Sequence, residues 1–533
     1  MENQIEIIMG LLVVVAALAI VARRISIPYP ILLVLGGLAL ALIPGFPRIH
    51  LAPNLVFLIF LPPLLYPAAL FTSWRDFHDN LRPILLLAVG LVLFTTCAVG
   101  FFAHYIIAGL PLAAAFALGA IVSPPDAVAA TAITERLRVP RRIVTILEDE
   151  SLVNDAIALV AYRFAIAALM TGSFSLAQAT FQFVIVAVGG VLIGLIIGWI
   201  AARVQRRLDD PPVQITLSLL TPFAAYLTSE RLGVSGVLAV VTAGLYLGWR
   251  NPEIVNSRMR LQAGPVWEMI VFLLNGFVFI LIGLQLPEVL QGISTKSGDI
   301  FRLTVDALLI SLVVIVVRFA WVIAATYLPR LMSKRLREKD PFPPWQSVII
   351  IAWTGMRGVV SLAAAIALPS FSLKTDTPVS GRSLIIFFTF VVIFVTLVLQ
   401  GLSLPYLIRW LKVVDGGETE KEEREARLKA NLAALERLAE LEEDGKYPTE
   451  LLQRLRAEYE DRIRQLEVPE PAETSGRRRL FSEDYTRLEQ EALRVERQTI
   501  LQLRNERVIN DEALRRIQHD LDLAEERVRS AER

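Results

Sequence analysis

Residues 111–134 read PLAAAFALGAIVSPPDAVAATAIT, an apolar run of membrane-spanning length broken near its middle by Ser123-Pro124-Pro125-Asp126. A helix needs about 20 apolar residues to cross the roughly 30 Å hydrocarbon core. Two successive prolines remove two amide donors and clash with the preceding turn, so the helix is expected to kink or unwind here. Unwound backbone at membrane depth is tolerated only where protein buries it or water lines it. The freed carbonyls and the Asp126 carboxylate are hard oxygen ligands of the kind a small desolvated cation needs. A packing kink in which Asp126 merely satisfies the freed amides fits the same residues.

Two further runs share this character. Residues 345–368 contain Gly355-Met356-Arg357-Gly358, and residues 143–170 carry Glu150-Ser151-Leu152-Val153-Asn154-Asp155. Ionisable groups inside a span are expensive, so each is a functional candidate by default. Ser151 and Asp155 are four apart, as are Glu150 and Asn154, giving two pairs on neighbouring helix faces. After Asp155 the chain stays apolar until Arg163, so no basic neighbour within one turn neutralises it. Arg163 is assigned to structure or to the outer vestibule. Glu150 and Arg357 are expected to pair, since either alone would be a buried charge costing several kcal/mol. The other reading of Arg357 is an ordinary cation at a helix end.

Working outward, thirteen candidate spans appear: about 4–22, 28–45, 52–72, 83–107, 111–134, 143–170, 178–204, 213–230, 233–250, 264–286, 303–328, 345–368 and 383–411. The first is no typical cleavable signal, because Glu2 and Glu6 precede it and Arg23-Arg24 follow it. The connections after odd-numbered spans, with the last turn of each span, carry 19 Lys/Arg, against 6 after even-numbered spans. The positive-inside rule then puts the N-terminus outside and the C-terminal tail in the cytoplasm. If spans 1–6 and 8–13 are two repeats joined by the seventh, the halves are inverted and the two interrupted spans are counterparts. Such a pair is the best sequence pointer to a transporter's midplane site.

Composition agrees with two unlike parts. The 533 residues are 54% hydrophobic and 20% charged, with a mean hydropathy of +0.54, where soluble chains average about 25% charge. From Asp415 onward there are 31 acidic and 23 basic residues, net −8, while residues 1–414 are net +9. The reading is an all-α polytopic membrane domain over 1–414 and a soluble helical tail over 415–533. The tail is expected to form helices at about 418–444, 448–467, 482–508 and 511–531. Val468–Arg479 reads as a linker, Asn510 as an N-cap, and Ile517, Leu521, Ala524 and Val528 as an apolar stripe. A small solvated bundle or dimer-forming segment and a regulatory sensor both fit it. One cysteine, Cys97, excludes a disulfide framework and a cysteine zinc site, and four scattered histidines form no metal motif. No phosphate loop or dinucleotide fingerprint is present. An enzyme, a cofactor and a nucleic-acid partner are therefore not expected, and active transport would run on an ion gradient.

Together, Ser123–Ala127, Glu150–Asp155 and Met356–Ser361 resemble the monovalent cation:proton antiporter family 1, in its bacterial sodium/proton exchanger branch. The resemblance covers roughly residues 1–412. It implies an elevator-like antiporter, usually a homodimer, in the plasma or inner membrane. Its dimerisation helices would lie at about 4–72 and 213–286 and its moving core at about 83–170 and 303–411. It also implies that Asp155 binds the cation and the proton, that Asp126 assists and that Ser151 contributes an oxygen, so Na+ would sit at these three residues. Asn154 would support the crossing helices, whose interrupted backbone is Ser123, Pro124, Pro125, Gly355 and Gly358. Glu150 and Arg357 would form the structural ion pair. The Asn154-Asp155 pair is associated with electroneutral exchange. Many members have Thr-Asp-Pro where this chain has Pro125-Asp126-Ala127, so a threonine oxygen is missing. The expected function is exchange of Na+ (or Li+) for H+ by alternating access. A K+/H+ antiporter, a gated cation channel and a receptor with the tail as output are the alternatives.

Overall fold

The computed structural model describes residues 2–25, 27–44, 57–137, 139–172, 175–255, 257–291, 293, 297–373, 380–413, 418–443 and 447–467, with scattered positions between 493 and 521. The chain divides into two compact units, Met1–Gly416 and Gly417–Arg533. Among the described residues every regular element is helical.

The first unit begins with α1 (Glu2–Ile25), α2 (Tyr29–Ala41), α3 (Leu61–Phe71) and the short α4 (Trp74–Asp79). Then follow α5 (Leu81–Ile106, with a π turn at Leu86–Leu91), α6 (Leu112–Val122), α7 (Ala127–Arg136), α8 (Arg141–Thr171) and α9 (Leu176–Gln205). The second half runs through α10 (Pro211–Arg231), α11 (Gly236–Ile254), α12 (Ser257–Leu284), α13 (Leu286–Gln291) and α14 (Ser297–Met332). It closes with α15 (Lys334–Lys339), α16 (Trp345–Trp353), α17 (Val359–Ile366) and α18 (Gly381–Leu411).

Among the described residues, eight helical segments are long and apolar enough to cross a membrane, and two shorter apolar helices, Tyr29–Ala41 and Phe57–Phe71, accompany them. Two of the expected spans are each a pair of half-helices, α6 with α7 and α16 with α17, broken at Ser123–Asp126 and Thr354–Gly358. The acids at the start of α8 do not interrupt it; the helix runs unbroken for 31 residues to Gly172, whose left-handed conformation (φ 69°) caps its C-terminus.

Packing sorts the helices. α2 lies along α12 and α1, α3 along α11, and α11 against α9 and α10, while α5, α6, α8, α14, α16, α17 and α18 pack among themselves. At the α2–α12 contact a methyl on Gly37 would fall 2.2 Å from the Ile280 carbonyl oxygen, so the two backbones touch. Small residues allow this approach where lipid gives helices no hydrophobic reason to associate. Helix α9 keeps Phe181, Val188, Leu192, Ile196 and Trp199 exposed, the mark of a lipid-facing surface.

In the second unit α19 (Glu418–Glu443) packs on α20 (Thr449–Glu467), which buries Leu452 and Ile463. Pairs at i,i+4 such as Arg456–Glu460 and Glu458–Arg462 line its exposed face. The expected linker, Asn510, Ala524 and Val528 lie outside the described residues, as do most positions of the last two expected tail helices.

Candidate functional site

Breaking α6 from α7 frees backbone groups, and the side chains around the break take them up one by one. Pro124 cannot donate to the Ala120 carbonyl, and the Ser123 hydroxyl donates to it instead at 2.9 Å. The Asp126 amide, which an unbroken helix would direct to Val122, donates to the Met356 carbonyl at 2.7 Å. The Val122 carbonyl accepts from Arg357 Nε at 2.9 Å, and the Pro125 carbonyl from Asn154 Nδ2 at 3.0 Å. The two interrupted segments are thus hydrogen-bonded to each other where they cross.

Charge at the crossing follows the helix dipoles. Buried Arg357 sits at the C-terminal end of α6, where orphan carbonyls carry partial negative charge. It also donates to the Gly355 carbonyl, and its own amide donates to Thr396 Oγ1 at 3.2 Å. Asp126 sits at the positive ends of two half-helices. As the N-cap of α7 it accepts from the Val128 amide at 2.9 Å. Gly358, the N-cap of α17, lies so close to it that an added methyl would fall 1.7 Å from Asp126 Oδ2.

The expected Glu150–Arg357 ion pair is not what the structure contains. Glu150 is bound on both oxygens by Arg318 of α14, at 2.7 and 3.0 Å, with both residues at most 1% exposed. Arg318 also donates to the Ile351 carbonyl at 3.3 and 3.1 Å, capping α16. Each buried arginine therefore caps one half-helix. Arg357 is held by the carbonyls of α6 and by Gly355, which leaves the carboxylate to Arg318. Gly355 gives Arg318 its room, since a methyl there would fall 2.5 Å from Arg318 Cδ. The sequence signal for Arg318 was the one applied to the other acids and bases, a lone charge deep in an apolar run.

A cavity of about 360 Å³ lies against the crossing, and Pro124, Pro125, Asp126, Ser151, Asp155 and Gly358 line it. Ser123, Glu150, Asn154, Gly355 and Arg357 do not; they support the crossing from behind. Arg163 is also away from the cavity, bound through one nitrogen to both oxygens of Glu230 at 2.9 Å. Asp155 is 8% exposed, and among the described residues no group donates to its carboxylate. It lines the cavity together with Asp126, so two carboxylates share one site. Ser151 Oγ is 3.4 Å from the Ala127 amide. Further lining residues include Thr72, Glu148, Glu268 and Asn275, to which the sequence reading gave no role, and Ser361, which it placed in a family motif without a role; among the described residues the lining contains no lysine, arginine or histidine. Such a site offers oxygen ligands and negative charge, and favours a cation.

Comparison with known proteins agrees. An uncharacterized Na(+)/H(+) exchanger of Mycobacterium tuberculosis is 36% identical over 97% of this chain and 96% of its own length. A sodium, potassium, lithium and rubidium/H(+) antiporter of Bacillus subtilis is 37% identical over 75% of this chain and 61% of its own. The fold resembles that of the sodium proton antiporter MjNhaP1 of Methanocaldococcus jannaschii, with a TM-score of 0.59 at 21% identity, covering 77% of this chain and 99% of that one. Residues 10–410 match the family described as sodium/hydrogen exchanger, transmembrane, and with relatives this similar along its whole length the chain belongs to that family.

Proposed function

We propose that the protein is a secondary active transporter that exchanges a monovalent cation for protons by alternating access, with Asp155 as the carboxylate for which they compete. One observation carries this reading. Of the three acids at the crossing, Glu150 is saturated by Arg318 and Asp126 is held by Val128 and the helix N-termini, whereas Asp155 faces the cavity without a donor. Protonated, Asp155 cannot hold a cation; ionised, it can. If the core moves only when one of the two neutralises it, the fluxes are coupled and opposite.

Asp126 and Ser151 complete the cation site, and Asn154 holds the crossing in register. A single exchangeable carboxylate takes one monovalent cation or one proton, which supports electroneutral exchange. Sodium, with lithium, is the proposed cation. Potassium is the second reading, favoured by the name of the Bacillus subtilis relative, which spans sodium, potassium, lithium and rubidium.

The moving core is assigned to α5–α8 and α14–α18 and the dimerisation scaffold to α1–α3 and α10–α12, in keeping with the packing preferences of the helices. The thirteen-span plan with inverted halves, the outside N-terminus and the homodimer in the plasma membrane belong to the same proposal. Thr72 and Glu148 line the cavity near the end of α3 and the start of α8, the ends that loop charge assigns to the cytoplasm. The cavity therefore opens inward.

The test uses purified protein in liposomes loaded with a pH dye, pulsed in turn with sodium, lithium and potassium. Sodium-evoked alkalinisation of an acidic lumen, unchanged when the membrane potential is clamped at zero, is the expected result. A potassium-only response would replace the cation, and a rate that follows the potential would overturn electroneutrality.

A further inference from the structure

Ser361 is the third residue of α17 and is 1% exposed, yet among the described residues its hydroxyl has no hydrogen-bond partner. Hydroxyls on helices ordinarily settle by donating to a carbonyl three or four residues back. Three threonines around the crossing do so: Thr131 to Ala127 at 3.0 Å, Thr354 to Ile351 at 3.1 Å and Thr396 to Val392 at 2.7 Å. Ser361 has Arg357 and Gly358 at those positions and bonds to neither.

Its location indicates what the hydroxyl is kept for. Ser361 lines the same cavity as Asp126, Ser151 and Asp155. It stands three residues beyond Gly358, on the same face of α17, and Gly358 abuts the Asp126 carboxylate. A buried hydroxyl without a partner, on a residue that lines a cavity with carboxylates and, among the described residues, no basic group, has two lone pairs and one proton to offer. An alkali cation accepts the lone pair, and a neighbouring carboxylate accepts the proton.

We infer that Ser361 is a neutral oxygen ligand of the transported alkali cation. It completes from α17 a site whose other oxygens come from the α6–α7 break and from α8. As a group that does not itself titrate it carries no proton in the exchange, so it sets cation affinity and the preference among alkali ions, and Asp155 remains the group that takes up the proton. This assignment rests on the proposed exchange.

The experiment measures apparent KM for sodium and for lithium in proteoliposomes containing the full chain, for wild type, Ser361→Ala, Ser361→Thr and Ser361→Cys. Ser361→Ala is expected to raise KM about five- to twentyfold, with the rate at saturating cation within twofold of wild type, and to change the lithium-to-sodium ratio of KM values. Its pH profile should be unchanged at saturating sodium and shifted to higher pH at low sodium, where protons win the competition more easily. Ser361→Thr keeps the hydroxyl and should stay within threefold of wild type. Ser361→Cys offers a soft sulfur in nearly the same volume and should behave like alanine; it decides the matter if the alanine variant does not fold. Wild-type KM in the alanine or cysteine variant, or a reduced maximal rate at unchanged KM and unchanged ion preference, would overturn the assignment while leaving the exchange intact. Absence of exchange by wild type with every alkali cation would overturn the proposed function and this ligand with it.

Discussion

At Gly358 a single added methyl group would collide with the Asp126 carboxylate of the proposed site. Its φ of −128° is open to any residue, so an alanine there meets no backbone strain, but its Cβ would fall 1.7 Å from Asp126 Oδ2. Gly358→Ala should therefore displace the Asp126 carboxylate and lower exchange at least tenfold. Gly264→Ala, where nothing lies within 4 Å, should leave exchange unchanged and add at most about 1 kcal/mol of helix stability. Equal rates in the two variants would contradict the crowding argument. At this scale the sequence was informative at several places where a polar residue or a glycine interrupted an apolar run: Asp126, Ser151, Asp155 and Gly358 all line the cavity. It was silent on partners. Glu150 and Arg357 are both buried as charges in the core, but which carboxylate meets which guanidinium depends on how α14 lies against α8 and α16, and spacing along the chain carries no record of that.

At the scale of elements, the half-helices are held by buried charges placed at their ends, and each charge can be tested by what its removal strands. Glu150→Ala and Arg318→Ala each leave one buried charge unpaired and should cost about 3–5 kcal/mol of stability. The double variant should lose clearly less than the sum, whereas additive losses would deny the pair. Arg357→Ala should destabilise the crossing by orphaning the Val122 carbonyl, independently of Glu150. A second ionic junction ties the helix ends on the side assigned to the cytoplasm. Asp340, between α15 and α16, lies 2.9 Å from Arg142, 2.5 Å from Arg330 and 3.8 Å from Arg82. Burial opposes its ionisation, yet Arg142 and Arg330 hold its carboxyl below the usual carboxylate range. A lowered folded-state pKa contributes stability that is present above the unfolded value and lost as pH falls through the folded one. The Tm deficit of Asp340→Asn at pH 7 should thus close as the pH drops below about 4. A deficit that persists unchanged in acid would contradict this account of the junction. The breaks in the two interrupted spans were legible from Pro124-Pro125 and from the paired glycines, because loss of donors and of side chains acts locally. The unbroken course of α8 through Glu148, Asp149 and Glu150 was less so, since the tertiary partner that makes Glu150 tolerable is distant in sequence.

For the whole molecule, the charge bias of the loops supports a proposed orientation that labelling can check. In a Cys97→Ser background, a cysteine in place of Glu443 in α19 should react with an impermeant maleimide only in inside-out vesicles. Labelling in right-side-out vesicles would invert the topology and, with it, the side to which the cavity opens. The central claim concerns Asp155, and its most direct test is Asp155→Asn, which keeps the shape of the side chain and removes its charge. Purified wild type and variant, matched for Tm and reconstituted together, are compared for sodium-driven proton movement across the full pH range. The account predicts exchange by wild type that falls at acidic pH, where protons outcompete the cation, and no exchange at any pH by a variant that remains folded. Sodium-coupled proton movement by a folded Asp155→Asn protein would contradict it.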